Sequence, residues 1–169
     1  MAGEQKVEVL FVCLGNICRS PTAHGVFQKL CEDAGLGQWI GVDSAGTAAY
    51  HIGKQPDLRS VKAAASRGYM LNHLRARQVS DVDFQRFDYV LAMDKENLSD
   101  LQQRCPVEHS HKVKLFLNYG SLGEEHVPDP YYGGQDGFGH VLDLVEDAAQ
   151  GLLQYVVKAH RLGGVGSML

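Results

Sequence analysis

The chain has few cysteines and no long apolar segment. Only four of its 169 residues are cysteine, and their spacings fit neither a disulfide scaffold nor a paired Cys/His zinc site. The first residues carry no apolar stretch of the kind found in a leader peptide, and no run approaches the roughly 20 apolar residues that cross a bilayer. We therefore expect a cytoplasmic protein with no membrane partner and no metal or cofactor.

An excess of positive charge is also lacking. Sixteen Lys and Arg against twenty Asp and Glu give a formal charge of −4, which provides no general attraction to nucleic acid or to an acidic membrane. The length and the 44% hydrophobic content suit one core rather than two. We predict a single domain over residues 1–169, with a core from about 6 to 161, that is mostly monomeric and binds no nucleic acid.

Short apolar runs alternate with helical patterns along the chain. Strands are predicted over residues 7–12, 40–44, 89–93 and 113–117, and helices over 21–34, 56–67, 95–104 and 138–160. This alternation predicts an α/β fold with an open four-stranded parallel sheet and helices on both faces. Gly35 and Gly68 are predicted to end the first two helices. Asp94 is predicted to cap the third, with a buried carboxylate behind a site as the alternative.

A cysteine and an arginine bracket the loop that follows the first strand. The segment Cys13-Leu14-Gly15-Asn16-Ile17-Cys18-Arg19 leads into the first helix, with Ser20 as its predicted N-cap and Pro21 as its first residue. An oxyanion held there would meet the loop amides, the helix dipole and the forked donors of Arg19. The same field would stabilise a thiolate at Cys13. The pattern predicts a phosphate-binding loop and phosphoryl transfer through a cysteinyl phosphate.

A carboxylate between two prolines forms a second group of interest, in Val127-Pro128-Asp129-Pro130-Tyr131-Tyr132. A phenolate leaving phosphorus needs a proton, and Asp129 can give one and later take one from water. Tyr131 and Tyr132 would line a slot for a flat aryl phosphate. The alternative is a plain turn in which Asp129 satisfies local amides. Together with the cysteine loop, the acid completes the set of groups that this chemistry needs.

These motifs, in this order, resemble the low-molecular-weight protein tyrosine phosphatases over nearly the whole chain. The matching segments are residues 12–23, 43–47, 56–59, 76–78, 93–98 and 129–131. The resemblance implies hydrolysis of phosphotyrosine in proteins and of small aryl phosphates. The implied partners are tyrosine-phosphorylated proteins, the product is inorganic phosphate, and no cofactor takes part.

The resemblance also implies a role for each residue of the site. Cys13 attacks phosphorus, the amides of residues 14–19 and the Arg19 side chain hold the equatorial oxygens, and Asp129 serves the leaving group. Tyr50 is assigned to the wall of the slot, with plain packing of its ring as the alternative. The substrate contacts implied are Leu14, Gly15, Asn16, Ile17, Cys18, Ser20, Tyr50, Tyr131 and Tyr132.

Three further roles follow from the resemblance. Asn16 and Ser44 are implied to share a hydrogen-bond network that shapes the loop. Ser20 is implied to donate toward the sulfur of Cys13, in addition to capping the helix. Cys18 is implied to form a reversible disulfide with Cys13 under oxidation, which protects the nucleophile. A small packing residue is the alternative for Cys18.

One departure from the family lies next to the Ala-Arg-Gln triplet. The family usually has a histidine two positions before this triplet, where the chain has Leu74, and His73 precedes it. The network around the loop is therefore completed either by a shifted His73 or by another group. Nearby Arg59, Arg75 and Arg77 are predicted either to solvate their helices or to attract acidic peptide flanks.

Three other functions compete with phosphotyrosine hydrolysis. Arsenate reduction on this fold needs two further cysteines on one mobile segment, and Cys31 and Cys105 do not form such a pair. Arginine phosphatases tend to have threonine where this chain has Ile17. A phosphopeptide-binding module without turnover would have no need to retain Cys13 and Asp129 together.

Overall fold

The computed structural model describes residues 6–130 and 136–162. The strands are β1 (Val7–Cys13), β2 (Ile40–Gly46), β3 (Tyr89–Ala92) and β4 (Val113–Leu115), and the helices are α1 (Arg19–Asp33), α2 (Leu58–Ala65), α3 (Asp81–Arg86), α4 (Lys95–Arg104) and α5 (Asp136–His160). The strands form one parallel sheet in the order β2-β1-β3-β4. The predicted fold class is confirmed. Within the described residues, no helix is both long and apolar enough to span a membrane.

The inner strand β1 divides its side chains between two apolar layers. Val9 and Phe11 join a core shared with α1 and α5, whereas Leu10 and Val12 join a second core shared with α3 and α4. All four side chains are fully buried. Burial on both faces explains why the strand reads as a continuous apolar run. Cys13 therefore stands at the carboxyl end of an inner strand, where ligands bind in sheets of this kind.

The first helix begins earlier than its cap signal indicates. The prediction of Ser20 as N-cap and Pro21 as first residue is wrong, because α1 starts at Arg19 and its N-cap is Cys18, which makes no side-chain cap. Ser20 Oγ instead lies 3.1 Å from Cys13 Sγ. Pro21 falls in the first turn, where its missing N–H needs no intrahelical partner.

Helix α2 is shorter than the predicted helix over residues 56–67, and α3 was not predicted. The side chain of Asp57 caps α2 by accepting from the amide of Arg59. The short helix α3 begins with a capping box between Ser80 and Asp83. Its Ser-x-x-Asp spacing departs from the Ser/Thr-x-x-Glu/Gln pattern, and six residues are too few to show a helical period.

Two glycines follow helices in the left-handed conformation. Gly35 comes directly after the C-cap Ala34 and has φ 75°, which confirms its predicted position. Gly68 has φ 90°, but α2 already ends at Ala65 with Ser66 as its C-cap. Gly68 therefore lies one position farther beyond the helix than predicted.

Close packing of α5 on the 3₁₀ turn Phe116–Tyr119 requires Gly151. A Cβ at this position would collide with the carbonyl oxygen of Tyr119. We expect Gly151→Ala to lower the free energy of unfolding by about 2–4 kcal/mol, because the helix and the turn must separate. The control is Gly139→Ala in the same helix, whose Cβ would meet only Arg67 Nη2 at 3.9 Å; it should stabilise by about 0.5–1 kcal/mol. Urea titrations compare the two, and equal stabilities would contradict the expectation.

Candidate active site

The segment from Cys13 to Arg19 curls around one sulfur atom. Asn16 adopts φ 58°, a left-handed conformation that asparagine tolerates, and this points its amide inward. The amide N of Asn16 donates to Cys13 Sγ at 3.3 Å, and Ser20 Oγ lies 3.1 Å from the same sulfur. The sulfur is thus met by two hydrogen-bonding groups at the start of a helix, where the helix dipole is positive.

A cavity of about 250 Å³ opens over this sulfur. It is lined by Cys13, Leu14, Gly15, Ile17, Cys18, Arg19, Tyr50, His51 and Asp129. The predicted nucleophile, arginine and acid therefore share one cavity with five of the predicted substrate contacts. Asn16 and Ser20 are buried and lie behind this wall. Tyr131 and Tyr132 lie outside the described residues.

The rim of the cavity includes His51, which the resemblance places with Tyr50 in the loop that walls the slot, although no substrate contact was predicted for it. Tyr50 is 73% exposed, and its ring meets the His51 ring edge to face at 6.4 Å between centroids. A Cβ at Gly15 would lie 2.9 Å from His51 Cδ2. Glycine at this position lets the imidazole approach the phosphate loop. Only its place beside Tyr50 in the sequence signalled His51.

The guanidinium of Arg19 is buried among three acceptors. Its Nη1 donates to Asp94 Oδ2 at 2.6 Å and to the Val127 carbonyl at 3.1 Å, and its Nη2 lies 3.8 Å from Asp129 Oδ2. Burial opposes the charge, but the negative charges of Cys13, Asp94 and Asp129 outweigh it and raise the pKa of Arg19 above its ordinary value. Arg19 is therefore a permanent, oriented cation in the cavity wall.

The segment that carries Asp129 is fixed at Val127. The Val127 amide donates to the Met93 carbonyl at 2.8 Å, its carbonyl accepts from Arg19, and its side chain is fully buried. Asp129 follows two residues later with its side chain 35% exposed. The anchor places the carboxylate at the cavity while leaving it in contact with solvent.

Asp94 fulfils both roles that the sequence offered as alternatives. Its Oδ1 accepts from the Asn97 amide at 2.8 Å and so caps α4. Its Oδ2 accepts from Arg19. One carboxylate therefore joins the start of α4 to the arginine in the cavity wall.

Residues after α2 support the phosphate loop from behind. The Arg77 amide donates to Asn16 Oδ1 at 3.0 Å, and the Gly46 amide donates to the Arg77 carbonyl at 2.8 Å. The Arg77 guanidinium lies between Asp43 and Asp83 at 3.1 and 2.9 Å. Burial opposes its charge, but these carboxylates raise the pKa of Arg77. Its backbone thus holds the loop, while its side chain joins β2 to α3, and neither role was predicted from the sequence.

Ser44 is bonded to a histidine rather than to the loop asparagine. Ser44 Oγ lies 2.9 Å from His24 Nδ1, and both residues are buried. The Asn16 side chain instead donates to Ser20 Oγ at 2.8 Å and accepts from the Arg77 amide. The two residues do not bond each other directly, but Asp43 and Arg77 connect them, because the Ser44 amide donates to Asp43 Oδ1 at 2.8 Å and Arg77 Nε donates to Asp43 Oδ2 at 3.2 Å. The buried histidine comes from α1.

His24 is neutral at ordinary pH. Burial lowers its pKa from 6.5 to about 4, while Asp43 opposes the shift and His73 and Arg77 add to it. The unfolded chain binds this proton more tightly, so the contribution of His24 to stability is complete above about pH 6.5 and declines as the pH falls toward 4. His73 itself is exposed.

Cys18 is a neutral thiol in the cavity wall. Burial raises its pKa to about 12, a hydrogen bond with Ser60 opposes the shift, and the charges of Asp57 and Cys13 add to it. Cys13 and Cys18 are both free thiols in the structure. Cys18 is therefore a poor nucleophile at neutral pH.

Comparison with known proteins assigns the chain to a family. A family model described as low molecular weight phosphotyrosine protein phosphatase matches residues 8–162. The chain belongs to this family. A low molecular weight protein-tyrosine-phosphatase of Streptomyces coelicolor is 47% identical over 152 residues, which covers 88% of this chain and 92% of the relative. The low molecular weight phosphotyrosine protein phosphatase of Schizosaccharomyces pombe is 44% identical over 90% of this chain and 98% of its own.

A solved structure of the family matches in three dimensions as well. The crystal structure of a protein tyrosine phosphatase from Entamoeba histolytica has a TM-score of 0.88 at 41% identity and covers 93% of this chain and 100% of its own. Membership makes the chain a hydrolase of the low-molecular-weight phosphatase class, for which the cysteine-based mechanism holds. The competing functions considered for the sequence are not favoured.

The double role of Asp94 in this phosphatase can be separated by substitution. Asp94→Asn keeps an effective N-cap but removes the charge opposite Arg19. We expect kcat/KM for p-nitrophenyl phosphate to fall about 10–100-fold, the size of one charge-assisted hydrogen bond. The control, Asp94→Ala, also removes the cap and should in addition lower the unfolding temperature. Parental kinetics in Asp94→Asn would show that the pairing does not serve phosphate binding.

Proposed function

We propose that this phosphatase hydrolyses phosphotyrosine in proteins, and small aryl phosphates, with Cys13 as the nucleophile. The observation that carries the proposal is the convergence of Cys13, Arg19 and Asp129 on one cavity. The amide of Asn16 and the hydroxyl of Ser20 support the sulfur from behind. Nucleophile, oxyanion cradle and proton donor are the groups that a two-step phosphoryl transfer needs.

In the first step, the thiolate of Cys13 attacks phosphorus in line with the ester oxygen. The P–S bond forms as the P–O bond breaks, and Asp129 gives its proton to the leaving phenolate. The amides of residues 14–19 and the guanidinium of Arg19 bind the three equatorial oxygens and stabilise the charge that they carry.

In the second step, water hydrolyses the cysteinyl phosphate. The Asp129 carboxylate takes a proton from the water as the water oxygen attacks phosphorus, and the P–S bond breaks. Inorganic phosphate leaves, and Cys13 returns as a thiolate in contact with the Ser20 hydroxyl. Asp129 is then protonated again and ready for the next cycle.

The walls of the cavity support selectivity for aryl esters. Leu14 and Tyr50 are 41% and 73% exposed at its opening, and we propose that they contact the substrate ring together with Tyr131 and Tyr132. A short seryl phosphate would not reach Cys13 past such walls. Phosphotyrosine and phosphoserine peptides of one sequence therefore provide a comparison, in which equal rates would contradict the assignment of the slot.

One panel of assays tests the proposed function against its competitors. Phosphotyrosine peptide, phosphoarginine peptide and arsenate are offered to a single preparation. We expect turnover of phosphotyrosine to exceed the other two rates by at least about 10²-fold. Preference for phosphoarginine, reduction of arsenate, or binding of phosphopeptide without release of phosphate would each overturn the proposal.

The remaining proposals concern the whole chain. We propose one phosphatase domain over residues 1–169, with its core from about 6 to 161, acting as a monomer on phosphoproteins in the cytoplasm. All four cysteines are free, which suits a reducing compartment. We propose further that Cys18 can form a disulfide with oxidised Cys13, since both line one cavity, and that turnover does not need Cys18.

A further inference from the structure

The hydroxyl of Ser20 has one hydrogen and two acceptors within reach. Cys13 Sγ lies at 3.1 Å and the Ala45 carbonyl oxygen at 3.4 Å. The Asn16 side chain donates to Ser20 Oγ at 2.8 Å, so it does not compete for that hydrogen. A serine hydroxyl donates a single hydrogen. The sulfur and the Ala45 carbonyl therefore compete for it.

The Ala45 carbonyl follows Ser44 on β2, and the Ser44 side chain is bonded to α1. Ser44 Oγ is bonded to His24 Nδ1 at 2.9 Å, and His24 lies on α1 one helical turn after Ser20. The three residues Ser44, Ala45 and His24 are 4%, 0% and 6% exposed, so solvent does not replace this contact. One buried hydrogen bond thus joins β2 to the helix that carries the Ser20 hydroxyl.

We propose that His24 is a positioning residue for the nucleophile. By holding Ser44, it keeps the Ala45 carbonyl at the distance at which Ser20 gives its hydrogen to Cys13. The inference rests on the proposed role of Cys13 as a thiolate nucleophile. It assigns a function to a buried histidine that touches neither the cavity nor the reacting atoms.

The surroundings of His24 keep its imidazole neutral. Asp43 on β2 favours a positive imidazole, whereas burial, His73 and Arg77 disfavour it. A neutral imidazole has one N–H and one acceptor nitrogen, so it can either donate to Ser44 or accept from it. A cationic ring would be a donor only, which removes the arrangement in which Ser44 donates.

The test measures the sulfur directly, without substrate. Alkylation of Cys13 by iodoacetamide is followed as a function of pH in the parent, His24→Ala and His24→Asn, and in His73→Asn as an exposed control. We expect His24→Ala to shift the midpoint of alkylation upward by about 0.5–1 pH unit, the effect of one lost hydrogen bond on the thiolate. His24→Asn retains a polar group near the Nδ1 position and should recover at least half of this shift. His73→Asn should match the parent.

Steady-state kinetics with p-nitrophenyl phosphate supply a second readout. We expect kcat of His24→Ala to fall about 3–10-fold near neutral pH with KM little changed, because the phosphate clamp is intact. The effect should vanish when His24→Ala is introduced into Ser44→Ala, since both changes break the same contact. If His24→Ala does not fold, Ser44→Ala alone should show the same shift in alkylation.

Three results would overturn the inference. They are a parental alkylation curve in folded His24→Ala, additive effects in the double variant, and no recovery in His24→Asn. Failure of the proposed function is a separate result, namely that the parent hydrolyses no aryl phosphate. In that case the alkylation curves still decide whether His24 acts on the sulfur.

Discussion

Cys13→Ser is expected to abolish hydrolysis of aryl phosphates. A serine hydroxyl stays protonated at neutral pH, and the groups around residue 13 are arranged to stabilise an existing anion rather than to remove a proton. The Asn16 amide and Ser20 Oγ both meet the sulfur, and neither group is a base that could take the proton of a serine hydroxyl. The expected loss in kcat is at least about 10³-fold.

The same variant should still bind phosphate. The loop amides and Arg19 remain, so calorimetry should give a dissociation constant for inorganic phosphate within about threefold of the parent value. Acid quenching during turnover should trap phosphocysteine in the parent and none in Cys13→Ser. The control is Cys105→Ser. Cys105 is not among the residues that line the cavity, so this variant should retain full activity. Substantial turnover by Cys13→Ser would remove this residue from the role of nucleophile.

Asp129→Ala is expected to slow turnover most for substrates whose leaving group is basic and must be protonated as it departs. Phenyl phosphate releases a basic phenolate, and its kcat should fall about 10²–10³-fold, the range of general acid catalysis. With p-nitrophenyl phosphate, whose leaving group is stable without a proton, we expect a loss of less than about tenfold. A series of substituted phenyl phosphates measures the difference as a steeper dependence of rate on leaving-group basicity.

A neighbouring carboxylate supplies the control for Asp129. Glu125 lies in the same segment, is 59% exposed and pairs with Lys95 at 2.8 Å. Glu125→Gln should keep the parental dependence on leaving group. An equal loss for all leaving groups in Asp129→Ala would show that this carboxylate positions Arg19, 3.8 Å away, and does not donate a proton.

Much of the fold follows from local patterns, and the errors have local causes. Helix α4 begins at Lys95 and ends at Arg104 as predicted. The prediction succeeded because the capping residue Asp94 and the helical pattern indicate the same starting position. The start of α1 was misplaced because Ser20 resembles a cap, whereas its hydroxyl is bonded to a sulfur seven residues earlier. Sequence patterns report what a side chain does within its own helix. They do not report a competing partner in the preceding loop.

The site residues could be predicted from the sequence where they lie together in one short motif. Cys13 and Arg19 belong to a contiguous loop, and Asp129 stands out between its prolines. By contrast, the contact of His24 with Ser44 spans 20 residues, and that of Arg77 with Asn16 spans 61. Such pairs depend on how helices and strands pack, so neither residue carried a recognisable signal alone.

The anchoring of Val127 has a consequence for synthesis of the protein. Arg19 and the Val127 carbonyl that it holds are 108 residues apart, so a nascent chain displays its reactive thiol long before the acid segment leaves the ribosome. The sheet imposes the same order, because the strand that emerges first must wait for β3 before both of its edges are paired. We therefore expect the proposed proton donor, Asp129, to join the Cys13 loop only late in synthesis.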